Sequence, residues 1–115
     1  MNIRNIALTI VTPLFLLSGA FAFAESVHLP QAIEHTQVAI SQGESGHADA
    51  LAEHASVALT HAEASEKAEA NPHTEEGIKH LKAAIDVGEK GDAKEATDHA
   101  KEALKHLEMV SQSKE

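Results

Sequence analysis

The chain has 115 residues, a formal charge of −9 at pH 7 and no cysteine. A surface this acidic disfavours nucleic acid and anionic membranes and attracts cations. Without cysteine the protein has neither disulfides nor thiolate ligands.

The first 24 residues are typical of a secretory signal peptide. Arg4 precedes an apolar stretch over residues 6–17, which is too short to span a bilayer, and Ala-Phe-Ala at 22–24 forms a small-residue cleavage signal. No cysteine follows to carry a bacterial lipid anchor. We therefore expect a signal peptide over 1–24, export to the periplasm, and a mature chain over 25–115 that is free of the membrane and folds as one domain.

The mature part has a narrow composition. It keeps all 18 acidic residues and eight of the nine basic ones, which gives a charge of −10, and it contains none of the three phenylalanines. The core is therefore predicted to be thin and aliphatic, and its stability marginal unless another interaction contributes.

The mature sequence contains an internal duplication with an offset of 45 residues. Between residues 31 and 61, 13 of 31 positions are identical to the residue 45 places later, and the two repeats cover about 28–63 and 73–108. Each half reads as a helix, a turn bounded by glycines at Gly43–Gly46 or Gly88–Gly91, and a second helix.

Residues that favour the start or the end of a helix define four helical segments. The pattern predicts them at about 30–42, 47–70, 74–87 and 92–112. Pro30 suits the first turn of the first helix, Pro72 separates the halves, and Asp92 with Glu95 suits a capping box for the fourth. Alanine gives high helix propensity, and short turns make neighbours antiparallel. We predict an all-α, up-down-up-down four-helix bundle built from a duplicated hairpin.

Heptad phase assigns the faces of these helices. With the histidines at position g, positions a and d hold Ala32, Ala39, Leu51, Ala55, Ala58, Leu81, Ala84, Ala100, Ala103 and Leu107. Position e holds Ile33, Ile40, Leu59, Ile78, Ile85 and Leu104. The a, d and e positions are predicted to form the core, with histidine at its border.

Nine histidines keep a spacing of seven residues within each helix and its flank. They are His28, His35, His47, His54, His61, His73, His80, His99 and His106. Two histidines seven apart are separated by about 10.5 Å along a helix. They cannot share one ion whose bonds to nitrogen are about 2.0–2.1 Å long. Each needs a carboxylate one turn away or a histidine on another helix.

Counting from the centre of each turn predicts which histidines meet. Residues equally far from a turn lie at equal height, which gives the pairs His35–His54, His28–His61, His80–His99 and His73–His106. We expect these pairs to form metal sites on the outer edge of each hairpin. The inner pairs, His35–His54 and His80–His99, are the stronger candidates, because His28 and His73 are expected to precede their helices.

Three glutamates lie one helical turn from a histidine and are candidate supporting ligands: Glu76, Glu95 and Glu102. Glu95 could instead serve only the cap with Asp92, and Glu76 only the helix dipole. Imidazole with carboxylate and no sulfur suits Cu(II), Ni(II), Zn(II) and Co(II), with Cu(II) bound most tightly.

The duplicated helices and their motifs resemble the bacterial small metal-binding protein family. The most telling segments are AIEH, LAEHASVALTHA, GIKHLKAAI and ATDHAKEALKHL, with the GESGH and GEKGD turns. The resemblance implies a monomeric periplasmic bundle that binds several divalent metals, copper above all. The matching ligands are His35, His47, His54, His61, His73, His80, His99 and His106. Where the family has further histidines, this chain has Gln42, Val87 and the tail SQSKE, and Asp92 stands opposite His47, so lower capacity or affinity is expected.

Other functions fit the sequence less well. We find no nucleophile with a base partner and no glycine-rich phosphate loop, which disfavours an enzyme, and no C-x-x-C-H for haem attachment. One alternative is a pH-responsive or chaperone-like envelope protein whose histidines act by protonation near pH 6. Another is a structural helical partner that self-associates without metal.

Overall fold

The computed structural model describes residues 14–114, and side chains from residue 27 onward. Its four helices are α1 (Leu14–Glu44), α2 (Ala48–Ala68), α3 (Pro72–Glu89) and α4 (Ala93–Ser113). The helices α1 and α2 pack as one hairpin and α3 and α4 as another, and the bundle is closed by contacts of α2 with α3 and of α1 with α4. The prediction of an all-α four-helix bundle is confirmed.

The helix α1 differs from its prediction at the N-terminal end. It begins at Leu14 rather than near residue 30, so Pro30 lies inside the helix and not in its first turn. Proline removes one helical hydrogen bond. Leu29 and Ala32 on either side of Pro30 are buried in the core, and their packing holds the helix continuous across the proline.

The predicted signal peptide over 1–24 falls partly outside the described residues and stays a prediction. Within residues 14–114, none of the helices combines the length and the apolar character that crossing a bilayer requires.

The two turns use their glycines in two different ways. Gly46 and Gly91 have φ values of 84° and 90°, the left-handed conformation that ends a helix. Gly43 and Gly88, which the sequence suggested as helix stops, instead lie inside α1 and α3. A Cβ atom at Gly43 would collide with the Thr97 side chain on α4, and one at Gly88 would lie 3.1 Å from the carbonyl oxygen of Ala48 on α2. These glycines let the two hairpins approach closely.

The core follows the predicted a and d positions. Every residue predicted there is buried, and the core is extended by Leu29, Ala62, Ala96 and Val110. The residues predicted at position e, by contrast, are only partly buried, and all of them except Leu104 are packed against the core cluster. The interior is therefore narrower than an a, d and e stripe, because alanine lets the helix axes come close and leaves the larger side chains at the edge.

The N-terminal ends of the helices confirm the expected cap of α4 by Asp92 and correct the expected positions of His28 and His73. Asn71 caps α3 by accepting a hydrogen bond from the His73 amide at 2.8 Å, and Pro72 occupies the first turn. Asp92 caps α4 by accepting from the Glu95 amide at 3.0 Å. His73 and His28, which were expected to precede their helices, both lie inside them. Regular helix geometry therefore fixes the position of both histidines.

Candidate metal centre

Eight histidines line the outer edges of the two hairpins, one set of four between α1 and α2 and the other between α3 and α4. Seven of these are half-buried, and His73 is exposed. The heptad spacing puts them beside the aliphatic core rather than within it. Their rings can therefore be held in place by packing while still being reached from solvent.

The first hairpin arranges its four rings as a continuous zigzag, here called the first histidine row: His28, His61, His35 and His54. The Nδ1 atoms of His28 and His61 are 3.1 Å apart, and their ring centroids are 5.3 Å apart. The His61 ring then stacks on His35 at 6.0 Å, and His35 stacks on His54 at 5.9 Å.

The second hairpin repeats this arrangement in the second histidine row: His73, His106, His80 and His99. Successive ring centroids are 5.4, 6.0 and 5.6 Å apart. The Nδ1 atoms are 3.2 Å apart between His73 and His106, and 3.4 Å apart between His80 and His99. The distances between ring centroids in the two rows agree to within a few tenths of an ångström.

The structure brings together all four histidine pairs that the turn arithmetic predicted. The expectation that His28 and His73 precede their helices was wrong, and their Nδ1 contacts, at 3.1 and 3.2 Å, are shorter than the 3.4 Å of His80 with His99. The ranking of the inner pairs above the outer ones as metal sites stays a prediction. Whether each pair is a ligand pair stays a prediction.

Two contacts within the rows were not predicted, namely His35 with His61 and His80 with His106. We call them the diagonal contacts, because each joins two histidines at different distances from the turn. Side chains on a helix lean toward its N-terminus, and the helices of a hairpin run in opposite directions. A ring on one helix therefore leans toward the ring one step along on its neighbour. Counting residues from the turn gives the heights of the Cα atoms but leaves out this lean.

A third candidate ligand, Glu76, lies beside the diagonal contact of His80 with His106. Donor atoms of Glu76, His80 and His106 all lie within 4.8 Å of one another, and all three side chains are partly buried. This is the one group of three such donors among residues 27–114. Two imidazole nitrogens and a carboxylate oxygen, with open positions left for water, make a donor set that Zn(II) and Cu(II) accept.

Nearby charges favour the ionised form of this carboxylate. The Lys79 ammonium, 2.9 Å from Glu76 Oε1, holds the pKa of Glu76 below its usual range through a hydrogen bond and its charge, with smaller contributions from His106 and His80. In the first row, burial lowers the pKa of His61, and the neighbouring rings of His28 and His35 lower it further. Both effects favour the deprotonated forms that bind metals.

Three of the predicted ligands stand apart from these rows. His47 is exposed at the start of α2, with its Nδ1 atom 3.2 Å from Gln42 Oε1. Glu95 and Glu102 are exposed and belong to no group of three donors in the described part of the chain. The Glu95 amide serves the cap of α4. Spacing from histidine along the helix is therefore not enough to bring either carboxylate together with two histidine donors.

At the end of the first row nearest the turn, two ring nitrogens lack hydrogen-bond partners. The Nδ1 atoms of His35 and His54 are buried and have no partner within the described residues. A buried polar atom without a partner costs free energy. Binding of an ion that reorients these rings could relieve that cost.

A four-helix bundle with paired rows of imidazoles and no cysteine belongs to the class of small helical proteins with histidine-based metal sites. The sequence matches the family model described as small metal-binding protein over residues 2–110, and the chain belongs to that family. The resemblance found from the sequence motifs is thereby confirmed, and with it metal binding as the general function. None of the curated proteins matches the sequence.

Proposed function

We propose that this protein binds and buffers divalent transition metals, chiefly Cu(II), in the periplasm and without catalysis. The observation that carries the proposal is the pair of matching histidine rows along the hairpin edges, with neighbouring ring centroids 5.3 to 6.0 Å apart. Packing of aliphatic residues alone gives no reason to place eight imidazoles in this way.

The chemistry of the rows supports a preference for Cu(II). Imidazole and carboxylate donors bind first-row divalent metals in the Irving–Williams order, in which Cu(II) exceeds Ni(II), Co(II) and Zn(II). The rows lie at the protein surface and do not enclose a cavity of fixed size. Such sites discriminate weakly by geometry, so the same rows are expected to accept Ni(II), Zn(II) and Co(II) with lower affinity.

Buffering requires that ions enter and leave without unfolding the protein. The histidines lie beside the core, whose buried residues are aliphatic or small, so loading a row requires ring rotations and leaves the helix packing in place. The acidic surface raises the local concentration of cations, and no deep pocket has to open. This arrangement suits reversible binding.

The location is supported by the N-terminal sequence. Residues 1–24 have the charge, apolar stretch and Ala-Phe-Ala site of a secretory signal peptide. Residues 25–115 contain neither cysteine nor a lipid attachment site. Thiol-free ligands suit an oxidising compartment, where free cysteines would be lost to disulfides.

Thermal unfolding with and without Cu(II) tests the proposal. A metal that binds only the folded state raises the melting temperature in a concentration-dependent way. We expect this rise in the wild type and its loss when the eight histidines of the two rows are replaced by asparagine. The matched control His47→Asn lies outside the rows and should keep the rise. A melting temperature that depends on pH but not on Cu(II) would contradict the proposal and favour the pH-responsive alternative.

A further inference from the structure

The two hairpins differ at the position where a third ligand meets the diagonal histidine contact. The 45-residue offset places Gln31 where the second half has Glu76, and His35 and His61 where it has His80 and His106. The imidazole geometry is otherwise the same, with centroids 6.0 Å apart in both halves and interplanar angles of 12° and 9°. The relative placement of the two rings therefore does not distinguish the two sites, whereas the third side chain does.

We propose that the second hairpin fills first, because Glu76 gives the cluster with His80 and His106 an anionic third ligand that Gln31 does not supply to His35 and His61. This inference rests on the proposed function. An ionised carboxylate offers a strong oxygen donor and offsets the charge of a divalent ion, while a neutral amide is a weaker donor. The first hairpin then acts as a lower-affinity reserve.

The overall charge of the two halves works in the opposite direction. Residues 25–71 contain eight acidic residues and one basic residue, a charge of −7, whereas residues 72–115 contain ten and seven, a charge of −3. Attraction between exposed charges fades over a Debye length of about 8 Å at physiological salt. A carboxylate bonded directly to the ion is not screened in this way. Long-range charge therefore affects the rate at which metal ions reach each half. The carboxylate bonded directly to the ion determines which half binds it more tightly.

Lys79 provides a second difference between the halves. Its ammonium pairs with Glu76 at 2.9 Å, although the side chains are 70% and 44% exposed. The corresponding residue in the first half is Glu34. Ion pairs this exposed are weak, so a metal ion can displace the lysine from the carboxylate. Lys79 keeps Glu76 at the site in the metal-free protein and lowers the affinity slightly by competing for it.

Two substitutions exchange this difference between the halves. Glu76→Gln gives the second hairpin the amide of the first, and Gln31→Glu gives the first hairpin the carboxylate of the second. Both positions are at the surface of regular helices, so the metal-free variants should unfold like the wild type, which circular dichroism can verify. Lys79→Met removes the competing cation and leaves all three donors in place.

The readout is a titration with Zn(II), followed by NMR of the histidine side chains and by calorimetry. In the wild type, the first equivalent should shift the resonances of His80 and His106 before those of His35 and His61. Glu76→Gln should weaken the tightest site by about tenfold or more, the lower range for losing a supporting group at a metal site. Gln31→Glu should raise the affinity of the first hairpin for Zn(II), so that the resonances of both rows shift over the same part of the titration. Lys79→Met should tighten the first site by up to about fivefold.

The outcomes separate this inference from the proposed function. If Zn(II) shifts the resonances of both rows together, and neither Glu76→Gln nor Gln31→Glu changes the order, the inference is wrong while metal binding stands. If neither Zn(II) nor Cu(II) perturbs any histidine in the rows, the proposed function itself fails.

Discussion

The Nδ1 atoms of His73 and His106 lie 3.2 Å apart, although the two residues are 33 positions apart in the chain and sit on facing helices. One ring can donate a hydrogen to the other only when at least one of the two is neutral. The contact thus joins α3 and α4 in the metal-free protein. The same nitrogens become available to a metal ion when the rings turn.

This pair gives a direct prediction for copper binding. Replacing either His73 or His106 with alanine should weaken Cu(II) binding to the second row, and replacing both should cost less than the sum of the two losses, because the two rings are in contact. Calorimetry on the two single variants and the double variant measures this coupling. Fully additive losses would show that the two histidines bind separate ions. The variant His47→Ala is the control and should bind as the wild type does.

The lowered pKa of His61 predicts how the stability of the folded protein depends on pH. Its pKa in the folded protein is lowered from 6.5 by burial and by His28 and His35. Between the lowered value and 6.5, the unfolded chain binds more protons at this position than the folded one does. The contribution of His61 to stability is therefore full above 6.5 and decreases as the pH falls below it.

An NMR titration of the metal-free protein tests this statement. The His61 ring should titrate with a midpoint below 6.5, and His28→Asn should move the midpoint upward by removing one positive neighbour. A midpoint at or above 6.5 in the wild type would contradict the burial and charge of His61 that the structure describes.

The close approach of the hairpins at Gly43 predicts a packing effect. Gly43→Ala places a Cβ atom against the Thr97 side chain and should destabilise the protein by about 1–3 kcal/mol, as overpacking does. Adding Thr97→Ala removes the colliding hydroxyl and should recover part of the loss. Urea denaturation measures both. The control Val57→Ala changes an exposed side chain and should alter the stability by no more than about 0.5 kcal/mol.

The sequence was sufficient to predict the bundle, its two hairpins and the pairs of histidines, because heptad spacing and glycine-bounded turns are local and periodic. It did not show that α1 continues through Pro30, since the burial of Leu29 and Ala32 overrides the local preference of proline. The helix therefore begins before Pro30, which the sequence had placed in its first turn.

The diagonal contacts and the cluster of Glu76, His80 and His106 also depend on information beyond spacing. They follow from the lean of side chains on two antiparallel helices, which a count of residues along each helix does not contain. Glu76, Glu95 and Glu102 have similar spacings to histidine, yet only Glu76 joins a three-donor group in the described chain.

Export to the periplasm is open to a simple check. When the full chain is expressed in a bacterium, the protein recovered from the periplasm should begin at Glu25, after removal of residues 1–24. Mass spectrometry of the intact protein gives the answer. A protein that keeps its first 24 residues and stays with the cytoplasmic fraction would contradict the proposed location. Substituting Ala22 and Ala24 with bulky residues should block the processing.

The central claim is that the histidine rows are where the metal binds. A crystal structure of the copper-loaded protein tests it most directly, because anomalous scattering at the copper edge locates each ion. The account predicts copper peaks along the two rows, with one peak bonded to Glu76, His80 and His106. Copper found only at surface carboxylates away from the rows, with the imidazoles unligated, would contradict it.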